Sequence, residues 1–312
     1  MKKFLLKIGA IILLLTCFIH AYILLLTDNY TDSSYYKFTT GRYKSLVLGT
    51  SRVGQGIEPK VLNRVLGLED NRIYNYAFTV KRSVWGEPYF NSIKRKLRRN
   101  GRRYGIFILE CNPWAMCSKK EEVGRFVEID AAPNNIIVPN LKPNIEYFFG
   151  GYGYVNFQLL VKKFISGDED EHFINDDGRY VVDIPYDSMK IPENVHKKIK
   201  VYEEMTLEYV PDSTRMHSLV KTIKYLKQFG SVYLIRMPVA EEMAQLETSF
   251  YPEFNEEMNT ISNDLDVAYL DFNFLSNKYV VADGNHIHNN HVVWFNELLA
   301  SKIMEHRLNI VD

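Results

Sequence analysis

Short apolar runs alternating with stretches of helical spacing set the rhythm of most of this chain. Lys44-Ser-Leu-Val-Leu-Gly49 is a compact apolar run closed by glycine, the mark of a strand buried on both faces. Similar runs stand at 72–77, 105–110, 231–236 and 267–271. Helical spacing covers about 86–99, 213–228, 239–263 and 288–307. Such alternation predicts an α/β domain over 41–312, with a parallel sheet between two helical layers. The rhythm is lost over about 114–212, which is rich in aromatics, Asn, Pro and Gly. That stretch is expected to be a long insertion over one sheet edge rather than a second domain.

A different pattern opens the chain. After Lys2, Lys3 and Lys7, nineteen residues from Ile8 to Leu26 are interrupted only by Gly9, Thr16 and His20. That length spans a bilayer core of roughly 30 Å. It exceeds the roughly 7–15 apolar residues of a cleaved signal peptide, and no A-x-A-like site follows. Leu14-Leu15-Thr16-Cys17 only loosely matches a lipoprotein cleavage box. The expectation is an uncleaved anchor: a cytoplasmic stub at 1–7, a membrane span at 8–26 with the bilayer as partner, and a polar linker at 27–40. Because the lysines precede the span, the rest of the chain is expected outside the cytoplasm.

Composition sharpens this division. The 312 residues carry 38 basic and 38 acidic side chains, but the first 26 hold three lysines and no acid. The remainder therefore has 35 basic against 38 acidic residues, a balance that argues against a nucleic-acid partner. Three cysteines exclude a disulfide framework. Cys111 and Cys117 bracket one loop and suit either a small disulfide or two free thiols.

In open parallel sheets, functional groups gather beyond the carboxyl ends of the strands. The first strand ends in Gly49-Thr50-Ser51-Arg52, with Ser51 on a turn entering a helix. A serine there is either an N-cap or a nucleophile whose oxyanion a helix terminus favours. Near the other end, Asp283-Gly-Asn-His286 precedes the last helix, and Asp and His three apart on a turn can meet, the carboxylate orienting the imidazole. Asn112, just past the third strand, suits either an oxyanion donor or a turn residue before Pro113. Arg52, directly after the serine, suits either a contact for an anionic substrate group or a solvated helix residue; Arg236, at its strand end, suits either a substrate contact in the crevice or the partner of a buried acid; and His288 is a lining residue of the cleft or a helix cap.

In order and placement these blocks resemble the SGNH (GDSL-like) hydrolase superfamily. Gly49-Thr50-Ser51 corresponds to its first block, Glu110-Cys111-Asn112-Pro113 to its third and Asp283-Gly-Asn-His286 to its fifth. The resemblance implies Ser51 as nucleophile, His286 as general base, Asp283 as its orienter, and an oxyanion hole of Asn112 and backbone N–H groups. Thr50, Glu110 and Pro113 depart from the usual residues in the manner of a divergent branch acting on envelope glycans. Tyr74–Val80 takes the place of the second block without its glycine, leaving Thr79 and Val80 as the backbone donors.

The expected function is an extracytoplasmic serine esterase or O-acyltransferase, most simply O-acetyl, acting on a cell-envelope glycan or acyl ester. The alternative is a non-catalytic binding or accessory protein for envelope polysaccharide modification or export. Either version admits a membrane-bound O-acyltransferase as partner. No cofactor is expected. His286, His288 and His291 have zinc-like spacing, but no further His/Cys cluster completes a shell, so no metal is expected. The glycines at 49, 54 and 56 lack the residues of a phosphate loop. The basic run from Lys94 to Arg103 is expected to be the solvated end of a helix, or to touch anionic lipid.

Overall fold

The computed structural model describes residues 2–26, 33–68, 73–80, 85–99, 104–125, 144, 147, 161, 165, 172–182, 186–275, 278 and 281–308. Five strands, β1 (Ser45–Leu48), β2 (Ile73–Asn75), β3 (Gly105–Glu110), β4 (Gly230–Arg236) and β5 (Ala268–Asp271), pair in parallel in the order β2-β1-β3-β4-β5. This order is flavodoxin-like, and its parallel pairing is what the apolar runs predict.

Alternate side chains of each strand enter different layers, as the two-residue period requires. Leu46, Leu48, Phe107, Leu109, Val232 and Leu234 face one core. There they meet α5 (Glu87–Lys96), α7 (Ser213–Leu226) and α9 (Phe254–Leu265). Val47, Ile106, Ile108, Tyr233 and Ile235 face the other, covered by α3 (Ser51–Gly56), α4 (Pro59–Val65) and α10 (Asn289–Leu308). Val292, Phe295, Leu299 and Ile303 of α10 are all buried, at spacings of three and four. Each such side chain contributes about 1.5–3 kcal/mol of burial free energy.

Three expectations are corrected. The stretch 239–263 is two helices, α8 (Glu241–Phe250) and α9, parted at Tyr251-Pro252-Glu253, because proline cannot donate within a helix. The second half of the polar linker belongs to the domain: α2 (Ser33–Thr39) buries Tyr35 and Phe38, and its Lys37 and Thr40 carbonyls accept the Lys96 ammonium at 2.6 and 3.0 Å. The Lys96 cation lies among the rings of Tyr43, Tyr74 and Tyr76, and burial holds its pKa well below the lysine range.

The insertion is not irregular throughout. It contains the nineteen-residue helix α6 (Lys190–Glu208) and a hairpin of His172–Ile174 with Tyr180–Val182. Most of its aromatic tract, at 148–154, lies outside the described residues. The hairpin turn docks on the edge strand, where the Asn75 N–H donates to the Asp177 carbonyl at 2.8 Å. Gly178, at φ +86°, is required there, since a Cβ would lie 2.3 Å from the Asn75 carbonyl oxygen.

At the N-terminus, α1 (Lys2–Leu26) has a mean hydropathy of 2.5 over its 18-residue apolar window, and its large apolar side chains from Phe4 to Phe18 are 39–72% exposed. This length and apolarity fit a membrane span and also a signal sequence. Cys17, Cys111 and Cys117 are free thiols, the latter two buried.

The docked hairpin generates a pH prediction. Burial, with the neighbouring Glu58 carboxylate, pushes Asp177 up from 3.8 to about 7. The native state therefore favours its protonated form. The associated stability is complete below 3.8 and is lost as pH rises through about 7. Asp177→Asn is expected to raise stability at pH 8 by roughly 1–2 kcal/mol and to change little at pH 4, which denaturation midpoints at the two pH values will check.

Candidate active site

Ser51 owes its place to the end of β1. Gly49 takes φ +139°, a value where a Cβ would lie 2.6 Å from the Glu110 Cβ, so only glycine lets β1 turn this close to β3. Thr50 then caps α3, its hydroxyl oxygen accepting the Arg52 N–H at 3.4 Å. Ser51 is the first helical residue, so its own N–H has no intrahelical acceptor.

His286 arrives from a tight loop before α10. The Ala282 N–H donates to the His286 carbonyl at 2.8 Å, and Gly284 turns the chain at φ +82°. Asp283 Oδ1 accepts the N–H groups of Asn285 and His286, each at 3.0 Å, which fixes the carboxylate against its own loop. Both Asp283 oxygens lie 3.0 Å from His286 Nδ1, and His286 Nε2 lies 2.9 Å from Ser51 Oγ. Burial alone would raise the Asp283 pKa, yet His286 and Lys198 beside it hold it well below the carboxylate range. With an ionised carboxylate at Nδ1, the ring proton sits there and Nε2 accepts from the serine hydroxyl. Residues 235 positions apart thus form the hydrogen-bond chain that nucleophilic acyl transfer requires.

Lys198 of α6 is the member that the sequence reading missed. Its ammonium lies 2.9 Å from Asp283 Oδ2. The available signal was the spacing of Ile191, Val195, Ile199, Tyr202 and Met205, an apolar stripe that identifies a helix with Lys198 beside it. Val195, Ile199, Tyr202 and Met205 of that stripe pack on Trp114, Val239, Ala240, Met243 and Val281 beyond the strand ends.

The two arginines expected to touch substrate do not open to the crevice. Arg52 and Arg236 are only 2 and 3% exposed, and both bind the fully buried Glu247 of α8, Arg236 at 2.9 Å. Arg52 Nε also donates to Asn285 Oδ1 at 2.8 Å, joining the residue after Ser51 to the residue before His286. Their charge answers a buried acid, which is why such apolar flanks carry arginine.

Asn112 is also engaged. Its Oδ1 accepts the Ala115 N–H at 3.0 Å, and its Nδ2 donates to Glu110 Oε1 and to Thr50 Oγ1, the latter at 3.4 Å. Both the turn and the oxyanion readings of this residue thus meet a buried carboxylate, Glu110, which also accepts the Thr50 N–H at 2.9 Å. The segment of Thr79 and Val80 runs beside the serine turn, tied by the Phe78 N–H to the Gly49 carbonyl at 3.1 Å; Thr79 is exposed and Val80 packs on the Trp114 cluster. His288 is buried at the start of α10, where Nδ1 accepts the Asn290 N–H at 3.3 Å and the ring meets Tyr186 edge-on. Of its two readings, helix cap and cleft-lining residue, the structure shows the cap. His291 lies within α10, against Trp294.

No family model and no curated protein matches the chain. Among solved structures, it is similar to an aryl esterase of M. smegmatis (12% identity, TM-score 0.36) and to Est24, a carbohydrate acetylesterase from Sinorhizobium meliloti (11% identity, TM-score 0.37). Each likeness covers 85% of this chain and 99% of the other. At such scores they say nothing of this chain's reaction, for which the side-chain geometry is the guide.

Removing the shared acid tests the buried arrangement. Glu247→Ala leaves the buried Arg52 guanidinium without its counter-ion and Arg236 with only Asp271, 3.8 Å away, and is expected to cost about 3–5 kcal/mol in chemical denaturation.

Proposed function

We propose that this chain is a serine esterase or O-acyltransferase of SGNH type. The observation that carries the reading is the unbroken hydrogen-bond chain Ser51 Oγ, His286, Asp283. His286 takes the hydroxyl proton as Ser51 attacks an ester carbonyl, and Asp283 stabilises the imidazolium. The Ser51 N–H, with backbone N–H groups at Thr79 or Val80 and the Asn112 amide, is assigned the developing oxyanion. The imidazolium then protonates the leaving alcohol, and an acyl-serine remains. Attack by water completes hydrolysis, whereas a sugar hydroxyl completes transfer. Arg52 and Arg236 serve this site by holding its parts.

The apolar α1, preceded by lysines, supports an anchor with the domain on the extracytoplasmic side, and hence an envelope glycan or its acyl ester, O-acetyl above all, as substrate. A membrane-bound O-acyltransferase fits as a partner that supplies acyl groups. If residues 1–27 remain in the mature protein, deleting them will increase mobility in a sizing gel; equal mobility shows cleavage instead.

One observation favours a non-catalytic accessory role: the Asn112 amide is already bound to Glu110. A fluorophosphonate probe separates the two readings. Stoichiometric labelling at Ser51, abolished in Ser51→Ala together with at least about a thousand-fold of acetyl-ester turnover, is the expected result. Full turnover by Ser51→Ala would overturn the mechanism.

A further inference from the structure

The helix that the insertion lays over the strand ends touches the catalytic loop at two adjacent points. Val195 packs on Gly284, its Cγ1 3.3 Å from where a Cβ would stand, and Lys198 meets Asp283 Oδ2 at 2.9 Å. Ile199 and Tyr202 anchor the same helix face beside Trp114 and Val281. Asp283 Oδ1 is occupied by two backbone N–H groups of its own loop, and both oxygens face His286 Nδ1. The ammonium thus reaches Asp283 at the oxygen that its own loop leaves open.

We infer that Lys198 is a positioning residue of the proposed serine mechanism: it fixes Asp283 from outside its loop and tempers the negative charge that Asp283 presents to His286. The further ionisable group that meets Asp283 is Tyr202 of α6, which itself lies beside Arg52 of α3, Glu110 at the end of β3 and Glu247 of α8. Arg52 and Glu247 offset each other in direct contact, and burial keeps the Tyr202 phenol neutral. Lys198 is therefore the cation that acts on Asp283 without a second acid of its own among the described residues. In a site of this kind the carboxylate makes the imidazole more basic, and a cation on that carboxylate opposes the effect. Lys198 is one-third exposed, so solvent attenuates its field.

The inference rests on the serine mechanism, but its test does not require turnover. The full-length chain, labelled with ¹⁵N-histidine in detergent, is titrated by NMR, the His286 resonance being assigned by its loss in His286→Gln. Lys198→Met is expected to raise the His286 pKa by about 0.5–1 unit, and Lys198→Arg, which keeps the cation, to stay near the wild-type value. Lys198→Gln supplies the neutral side chain if the methionine variant does not fold. A His286 pKa unchanged in the neutral variants overturns the inference, as does an equal rise in Lys198→Arg. Fluorophosphonate labelling of the same samples separates this from the parent reading. A shifted titration with an unreactive Ser51 retires the serine mechanism and leaves the contact in force.

Discussion

The arrangement of the site depends on one buried carboxylate. Glu247 of α8 is fully enclosed and would be costly there alone, and it is compensated by guanidiniums from two other elements, Arg52 of α3 and Arg236 at the end of β4. Burial opposes its ionisation, yet the two cations hold its pKa below the ordinary value. Because Arg52 adjoins Ser51 and also donates to Asn285, this ion cluster links the nucleophile's turn to the base's loop. A buried ion cluster is weak evidence for stability, since apolar residues of equal volume often do as well. What it adds here is registration: a guanidinium with several directional bonds fixes two loops to within a hydrogen-bond length, which apolar packing does not.

Most of this was legible in the chain for definite reasons. Parallel strands buried on both faces give continuous apolar runs, so all five were found within two residues of their observed limits. Asp283 and His286 were legible because three residues on a turn bring them together whatever the fold does elsewhere. Arg52 and Arg236 were placed correctly along the chain; for Arg236 the buried acid, one of its two readings, is what the structure shows, and Arg52 meets the same acid in place of solvent or substrate. A strand-end arginine faces either the crevice or a buried acid, and the deciding acid, Glu247, sits on a distant helix with no local signal. α6 was obscured by its neighbours: aromatic and glycine-rich residues before it masked a regular apolar stripe. Lys198 could not be read in advance, since its partner lies 85 residues onward across an insertion.

The two sides of the triad place opposite demands on the charged groups around it. At the nucleophile's turn, Glu110 binds the Thr50 N–H and the Asn112 amide, and Gly49 gives way to it by adopting a conformation open to glycine. This fixes the turn firmly, but it brings a carboxylate near the place where the proposed reaction develops negative charge. Asn112, occupied by Glu110, has less to offer an oxyanion than an unengaged amide, so the load under that mechanism falls on backbone N–H groups around Ser51. Such donors lose no side-chain entropy on binding and are rigid by construction.

At the opposite side of the triad the sign is reversed. Asp283 carries a cation from α6 in addition to His286, so the field there is more positive than one carboxylate and one imidazole alone would give. An acidic side chain thus stands at the nucleophile's turn, where Glu110 accepts the Thr50 N–H, and a basic one stands behind the base, where Lys198 meets Asp283. Both come from outside the base's own loop, one from β3 and the other from the insertion helix. Displacing α6 would take the external cation from Asp283 while β1 and the loop before α10 still hold Ser51 and His286 together, so under the proposed mechanism the insertion tunes a site that the sheet positions.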